Sequence, residues 1–406
     1  MGRKLLLDLG PLCRALGRQR SRFILIALEI ALTLAIATNC INLLIDLRNV
    51  MLRPSGMDEE NQISVGVRPF SEDLRDEAAG RQSRLLDLER LRQIPGVKAA
   101  AMINAVPLSG GGSSTGRRPA GSEITPIQAP YFEVTNQAVQ AFGVELSAGR
   151  DFVPEDFLIE NNKNILISES LGRKLFPEGN LVGQKIQSRV GDEVQTIVGV
   201  VATMSSAWPD SSLYGDAIMV PTVDVGFREY SRFLVRTEPG RRDEVAALID
   251  RALLERHQGR LIEVQTMAEV RGDTFRNSVG LIRLLSGVVI LLVLVTALGI
   301  AGLTSFSVTQ RIKQIGTRRA LGATRLDILR YFLVENWIVT TAGLVVGVAA
   351  SLGLNSALLN WADAPRLSFA LIAGGMVMLW MVGLGAAFAP ARRAMMLPPV
   401  IATRSV

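Results

Sequence analysis

The chain has 406 residues, of which 48% are hydrophobic and 20% charged, with a net charge of +6. That length accommodates two ordinary domains, while only two cysteines and one histidine argue against a disulfide framework and a histidine-centred metal site. The apolar content gathers in four stretches, 23–45, 284–308, 329–358 and 369–389. Each meets or exceeds the roughly 20 residues that a helix needs to cross hydrocarbon. The implied fold class is an α-helical membrane protein with four transmembrane helices and a large α+β extracytoplasmic domain of two subdomains, inserted between helices 1 and 2.

In chain order, residues 1–22 form a cytoplasmic tail in which Arg3, Lys4, Arg14, Arg18, Arg20 and Arg22 stand against Asp8. The span at 23–45 is longer than a signal-peptide core and no A-x-A site follows it, so it reads as a retained anchor. Glu29 lies inside it. Carboxyls at such depth face a protein interior or water; Glu29 reads as a protonated or hydrogen-bonded group at a helix contact, since no chain of acids or histidines accompanies it as a proton relay requires.

Residues 46–283 form the extracytoplasmic domain, and Cys13 in the tail and Cys40 in the first span leave it without a disulfide. Two segments read as strand, amphipathic helix, strand. One is "QISVGVRPF", "RQSRLLDLERLRQIPGV" and "KAAAMINAVPL"; the other is "SRFLVRTEPG", "RRDEVAALIDRALLERH" and "RLIEVQTMAEV". In the second helix Val245, Leu248, Ile249, Leu253 and Leu254 are expected on one apolar face, with His257 solvated beyond them. Between the two segments, about 106–220 form an inserted β-rich subdomain. It opens with "SGGGSSTGRRPAGS" (109–122), which composition marks as a mobile loop; no lysine plus Ser/Thr follows to make it a phosphate-binding loop. "NILISESLGRKLFPEGNLVGQKI" gives a strand and a helix capped by Ser168 or Ser170, and "VQTIVGVVATM" a buried strand.

After the span at 284–308 comes the cytoplasmic loop 309–328. Its Ile312, Ile315 and Ala320 fit one helical stripe with Arg311, Arg318 and Arg319 around it, Gly316 permits close backbone approach, and Gly322 is placed as a helix stop. Thr324 and Asp327 fit a capping box that starts the next span. Such a helix, joined to a rigid span, can transmit a push. It can equally lie on anionic membrane lipid and fix topology. The span at 329–358 carries Glu335, read as structural and within reach of Arg330 or Arg311, and a small-residue series of Gly343, Gly347 and Ser351 that suits close helix packing either within one chain or across a dimer. A short outer loop (359–368) leads to the span at 369–389, with Gly374, Gly375, Gly383 and Gly385. The tail 390–406 adds Arg392, Arg393 and Arg404. Because Lys and Arg mark cytoplasmic segments, both termini are expected in the cytoplasm. The basic balance therefore reports topology and gives no support for a nucleic-acid partner. No nucleophile–base pair stands out, so no catalytic residue and no metal ligand is assigned.

"YFEVTNQAVQAFGVELSAGRDFVPED", "ILISESLGRKLFPEGNLVGQKI" and "TIVGVVATM" resemble the outer core domain of MacB-like permeases. "QRIKQIGTRRALGATRLDILRYFLVENWIVTTAGLVVGVAAS" and "APARRAMMLPPVIATRS" resemble the permease segment of the wider FtsX-like superfamily. The resemblance implies a type VII ABC system, with two permease chains as a homodimer or heterodimer and a cytoplasmic ABC ATPase that binds ATP and Mg. Since the 406 residues include no Walker A loop, the ATPase is expected in a separate partner, and this chain is expected to hold no cofactor and not to be an enzyme. Arg311, Ile312, Ile315, Gly316, Arg318, Arg319, Ala320, Leu321, Gly322 and Ala323 are then the ATPase-coupling residues, and motion passes to the periplasmic domain by mechanotransmission without cargo crossing between the helices. Gln314 and Thr317 depart from the family's "EIGIR" pattern. The implied setting is the bacterial inner membrane. The implied work is efflux of a peptide, antibiotic or siderophore-like substrate, with a periplasmic adaptor and an outer-membrane channel as further partners. Alternatives within the superfamily are a LolC/LolE-like lipoprotein-releasing permease and an FtsX-like regulator of a cell-wall hydrolase.

Overall fold

The structure is a computed structural model that describes residues 20–71, 76–158, 163–188, 193–209, 211, 213–225, 230–255, 259–362 and 364–398. The expectations placed on the tail basic residues before Arg20, on Cys13, His257 and Arg404 lie outside the described residues. There are two compact units, one holding residues up to Asn49 and from Ser278 onward, the other Val50–Asn277.

Helix α1 (Arg20–Met51) leads from the first unit into the second. In the second, β1 (Gln62–Pro69), α2 (Glu77–Arg92) and β2 (Val97–Ile103) make one strand–helix–strand unit. The chain then forms β3 (Ser113–Pro119), β4 (Ile127–Val134), α3 (Ala138–Phe142), β5 (Leu146–Gly149) and α4 (Pro154–Leu158). Next come β6 (Asn164–Ser168), α5 (Glu169–Leu175), β7 (Lys185–Ser188), β8 (Val194–Val201) and β9 (Ile218–Pro221). The other strand–helix–strand unit is β10 (Ser231–Thr237), α6 (Arg242–Leu254) and β11 (Arg260–Thr266), followed by α7 (Met267–Thr274).

The two strand–helix–strand units interleave as four antiparallel strands in the order β11-β1-β10-β2. Alternation along β10 separates two cores, as the two-residue period of a strand requires. Phe233 and Val235 join Leu88 and Leu91 of α2 and Val245, Ile249 and Leu253 of α6. Leu234 instead joins Phe142 of α3 and Met267 of α7. Leu248 and Leu254, expected on the apolar face of α6, are 36% and 37% exposed; at about 100° per residue Leu248 flanks the stripe that Val245, Ile249 and Leu253 make, while Leu254 turns well away from it. A buried ion pair ties α2 to β11, with Arg260 Nη1 2.6 Å from Asp87 Oδ2.

From β2 the chain passes to a closed ring of strands. β4 pairs with β3, β3 with β7, β7 with β8, β8 with β6, β6 with β9, and β9 returns in parallel to β4. Ile165, Ile167, Ile186, Ile197 and Ile218 bury here with Leu171 and Leu175 of α5. Ser168 is the cap of α5, accepting from the Leu171 N–H, while Ser170 donates to Asp216 at 2.7 Å. The segment at 109–122 corrects its expectation, because residues Ser113–Pro119 are strand β3, bonded on both sides. Composition weighs what side chains can bury, whereas a strand inside a ring is held by its backbone ladder. Gly112 also has a packing reason to be glycine, since a Cβ there would stand 2.6 Å from the Ala207 Cβ.

The first unit contains α1 with α8 (Arg276–Gln310), α9 (Ile312–Ala320), α10 (Arg325–Ala362) and α11 (Phe369–Met395). Among the described residues, α1, α8, α10 and α11 are long and apolar enough to cross a membrane. Each continues past the apolar stretch that marked it in the sequence: the 35 residues of α8 rise about 50 Å, well over the hydrocarbon thickness.

Helix contacts in this unit run through small residues. A Cβ at Gly343 would come within 2.7 Å of the Ala27 carbonyl oxygen, and one at Gly347 within 3.0 Å of the Ala31 Cα. Ser351 Oγ lies 3.3 Å from Thr38 Oγ1, and Asn39 Nδ2 donates to the Ser351 carbonyl at 3.1 Å. The Gly343, Gly347 and Ser351 face of α10 therefore packs on α1 within one chain. Gly375 meets Thr38 and Leu34, and Gly383 meets Thr340, whereas Gly374 and Gly385 face open space.

Candidate coupling site

Helix α8 ends at Gln310, and Arg311 breaks the path with φ −107° and ψ 18° before α9 begins. The break turns nine residues, Ile312–Ala320, into a separate short helix. Its inner side is Ile315 and Gly316, both buried, with Ile315 packed among Val308 of α8, Ile328 and Phe332 of α10, and Ala391 and Ala394 of α11. Ile312 is half-buried, and Ala320, expected to complete that stripe, is exposed. The reason is helical phase: the position one turn after Ile315 is Arg319, not Ala320.

Three cationic side chains fasten α9. Arg311 Nη1 donates to Glu335 Oε2 at 3.0 Å and to the Tyr331 hydroxyl at 3.2 Å. Both members of the Arg311–Glu335 pair are largely removed from solvent, at 12% and 7% side-chain exposure. Between the two partners considered for Glu335, the structure selects Arg311. Arg318 stacks its guanidinium 4.8 Å from the centre of the Tyr331 ring. Arg319 Nη1 donates to the carbonyls of Met395 and Leu397 at 3.2 and 2.5 Å, binding α9 to the end of α11. Sequence reasoning placed the arginines here but missed Tyr331, Met395 and Leu397; two of those acceptors are backbone carbonyls, which no side-chain pattern signals.

The exit from α9 is a Schellman motif: the Ala323 N–H reaches the Arg318 carbonyl at 3.0 Å and the Gly322 N–H reaches that of Arg319 at 3.1 Å. Gly322 has φ +99°, which favours glycine. Thr324 and Asp327 form the capping box of α10, Asp327 Oδ2 accepting from the Thr324 N–H at 2.9 Å while Thr324 Oγ1 accepts from the Asp327 N–H at 3.2 Å. Just before the glycine stop, at the end of α9, Leu321 is 84% exposed, with Ala320 before it and Leu326 beyond the stop exposed as well. An apolar tip thus protrudes from a basic helix whose other side is bonded to two long helices. Further along, the carboxyl of Glu29 lies on the face of Gly299 in α8, close enough that a Cβ there would meet its oxygens at 2.7 and 2.9 Å.

The outer unit holds the corresponding element at the far end of α1. Arg271 of α7 donates through Nη1 to both carboxylate oxygens of Glu59 at 2.7 and 3.0 Å. Its Nη2 reaches the carbonyls of Met51 and Arg53 at 2.9 and 2.5 Å. One guanidinium thereby joins Glu59, the Met51 carbonyl at the end of α1 and the Arg53 carbonyl just beyond it, all within this unit.

Residues 28–252 match the model of the MacB-like periplasmic core domain, and residues 286–399 that of the FtsX-like permease C-terminal segment. The chain belongs to the MacB-like ABC permease family. It is 28% identical over 368 residues to the macrolide export ATP-binding/permease protein MacB of Agrobacterium fabrum, an alignment covering 85% of this chain and 54% of that protein. It is 25% identical over 268 residues to the uncharacterized ABC transporter permease YknZ of Bacillus subtilis, covering 64% and 66%. The chain spans about half the length of the MacB relatives it matches. Among solved structures, the periplasmic region of MacB from Actinobacillus actinomycetemcomitans aligns with 57% of this chain and 98% of its own at 14% identity, with a TM-score of 0.37. The lipoprotein-release and hydrolase-regulator alternatives are not favoured by these similarities.

Proposed function

We propose that this MacB-like permease is the transmembrane part of an ATP-driven export assembly, with α9 as the seat of an ABC ATPase that binds the ATP and Mg. The carrying observation is the contrast across α9. Its exposed tip at Leu321 is free to enter a partner, while Arg311–Glu335, Arg319 and Ile315 hold its inner side to α8, α10 and α11. A load on the tip is delivered to long helices that cannot be pushed aside separately. Gln314 and Thr317 are exposed, so the docked partner meets an amide and a hydroxyl at these positions. Arg271 is the corresponding fastening at the outer end of α1.

In this reading both termini and α9 are cytoplasmic, residues 50–277 are periplasmic, and the membrane is the bacterial inner membrane. Two permease chains pair, with an adaptor and an outer-membrane channel receiving an amphiphilic cargo. Leu284, Ile290, Leu291 and Leu298 of α8 are exposed, a face suited to lipid or to the second chain.

The test is Leu321→Asp in the assembly reconstituted with its ATPase in proteoliposomes. An exposed position leaves the fold intact, and ATP-driven export is expected to fall at least tenfold with loss of ATPase co-purification. Gly322→Val, which strains the helix stop, is expected to retain ATP hydrolysis while uncoupling it from export. Normal coupling in Leu321→Asp would remove the docking model.

A further inference from the structure

Within the outer unit a cleft of about 460 Å³ opens between α2, the entry to α3, and the β5–α4 connection. Its size is that of a small-molecule site. Phe152 and Phe157 form one wall, edge to face with ring centres 5.6 Å apart, and Leu85 and Val223 line the cleft elsewhere. Glu89, Arg92 and several amide and hydroxyl side chains also line it, and two of its polar groups stand out. Gln137, which lines the lip, has φ +66°, a conformation rare for a residue with a side chain and one that clusters at functional sites. Asp151, half-buried, accepts the Phe152 N–H at 2.6 Å and among the described residues has no ion-pair partner.

The cations nearby are already engaged. Arg150 pairs with Asp156 at 2.7 Å. Arg92 spends its donors on Glu89, the Ala100 carbonyl and Asn136, at 2.7–3.0 Å. A carboxylate beside an aromatic wall, with no ion-pair partner among the described residues, is complementary to a positive charge carried on an apolar body. We propose that this cleft binds a cationic amphiphile, its protonated amine at Asp151 and its apolar part against Phe152 and Phe157. The proposal rests on the export reading only for its meaning, as the class of cargo sampled on the outer side.

Burial raises the Asp151 carboxyl above the usual aspartate range, opposed by the Phe152 N–H and Arg150 without being reversed. Protonation removes the charge the ligand needs, so binding falls as pH is lowered through that raised value.

The full chain in phospholipid nanodiscs is titrated with rhodamine 6G, a cationic amphiphile, and with anionic fluorescein, by fluorescence anisotropy against empty nanodiscs. Wild type is expected to bind the cation at least tenfold more tightly than the anion. Asp151→Asn, which keeps the Oδ1 acceptor for Phe152, should weaken rhodamine 6G about tenfold, and Val223→Trp, a substitution at an exposed rim position, should abolish it. Circular dichroism verifies that both variants are folded. Equal affinity in wild type and Asp151→Asn, or binding that survives Val223→Trp, overturns the proposal. No ATP or ATPase enters the assay, so a failure here leaves the docking model standing and a failure of docking leaves the cleft standing.

Discussion

The two units of this permease hold themselves together by different means. In residues 50–277 large apolar side chains do the work: Phe132, Phe142, Phe233, Ile63 and Leu91 are wholly buried, and the ion pair inside, Arg260 with Asp87, is sealed from water. In the spanning helices close contacts are made at Gly343, Gly347, Gly375 and Gly383, with Thr33 to Thr296 at 2.8 Å and Asn336 to the Gly383 carbonyl at 2.9 Å. The difference follows from the solvent. Burying a leucine from water drives folding, whereas burying it from lipid does little, so helices in a bilayer associate through close backbone approach and interhelical hydrogen bonds.

The sharpest way to break the first half of that comparison is Asp87→Ala. It leaves the Arg260 guanidinium buried without its carboxylate, and the expected loss is about 3–5 kcal/mol of outer-unit stability, read as a lowered thermal midpoint. The double variant Asp87→Leu with Arg260→Met, which removes both charges, should recover most of it, because an apolar pair of similar volume often replaces a buried ion pair at little cost. On the membrane side, Gly347→Leu forces a side chain into the contact with Ala31 and Leu34. A loss of about 1–3 kcal/mol is expected, measured as a lower unfolding midpoint in detergent. Gly353→Leu, on the same helix but with nothing within 4 Å, sharpens the contrast by leaving the midpoint unchanged.

What the sequence disclosed follows the same division. Membrane spans were legible because twenty apolar residues in a row have few other uses, and the capping box at Thr324 and Asp327 because its spacing is local. The packing of Gly343, Gly347 and Ser351 was legible as a contact face, but only the structure assigns it to α1 of the same chain. The strand at Ser113–Pro119 was hidden, since its pairing partners in β4 and β7 lie elsewhere in the chain and its composition is that of a loop. The cleft at Asp151 left no signal either. Its walls come from segments as distant as Leu85 and Val223, and a single aspartate among them has no motif.

The smallest expected effect compares one device in both units. Thr266 and Glu269 cap α7 as Thr324 and Asp327 cap α10, and in each the threonine hydroxyl accepts the N–H three residues on at 3.2 Å. Replacing either threonine with alanine is expected to cost about 1 kcal/mol, seen as faster hydrogen exchange in the first turn of its helix. The acid of the outer box adds a pH dependence. Glu269 accepts the Thr266 N–H at 2.8 Å and its hydroxyl at 2.9 Å, and these bonds hold its carboxyl below the usual glutamate range. A carboxyl depressed in the folded state contributes stability that is fully present above its unfolded pKa and disappears as pH falls through the folded one. Protection in the first turn of α7 should therefore decline on acidification in the wild type. In Glu269→Gln, which keeps an acceptor but has no charge to lose, protection should start lower and stay level. A wild-type protection factor that is flat with pH would mean that the threonine side of the box holds the turn alone.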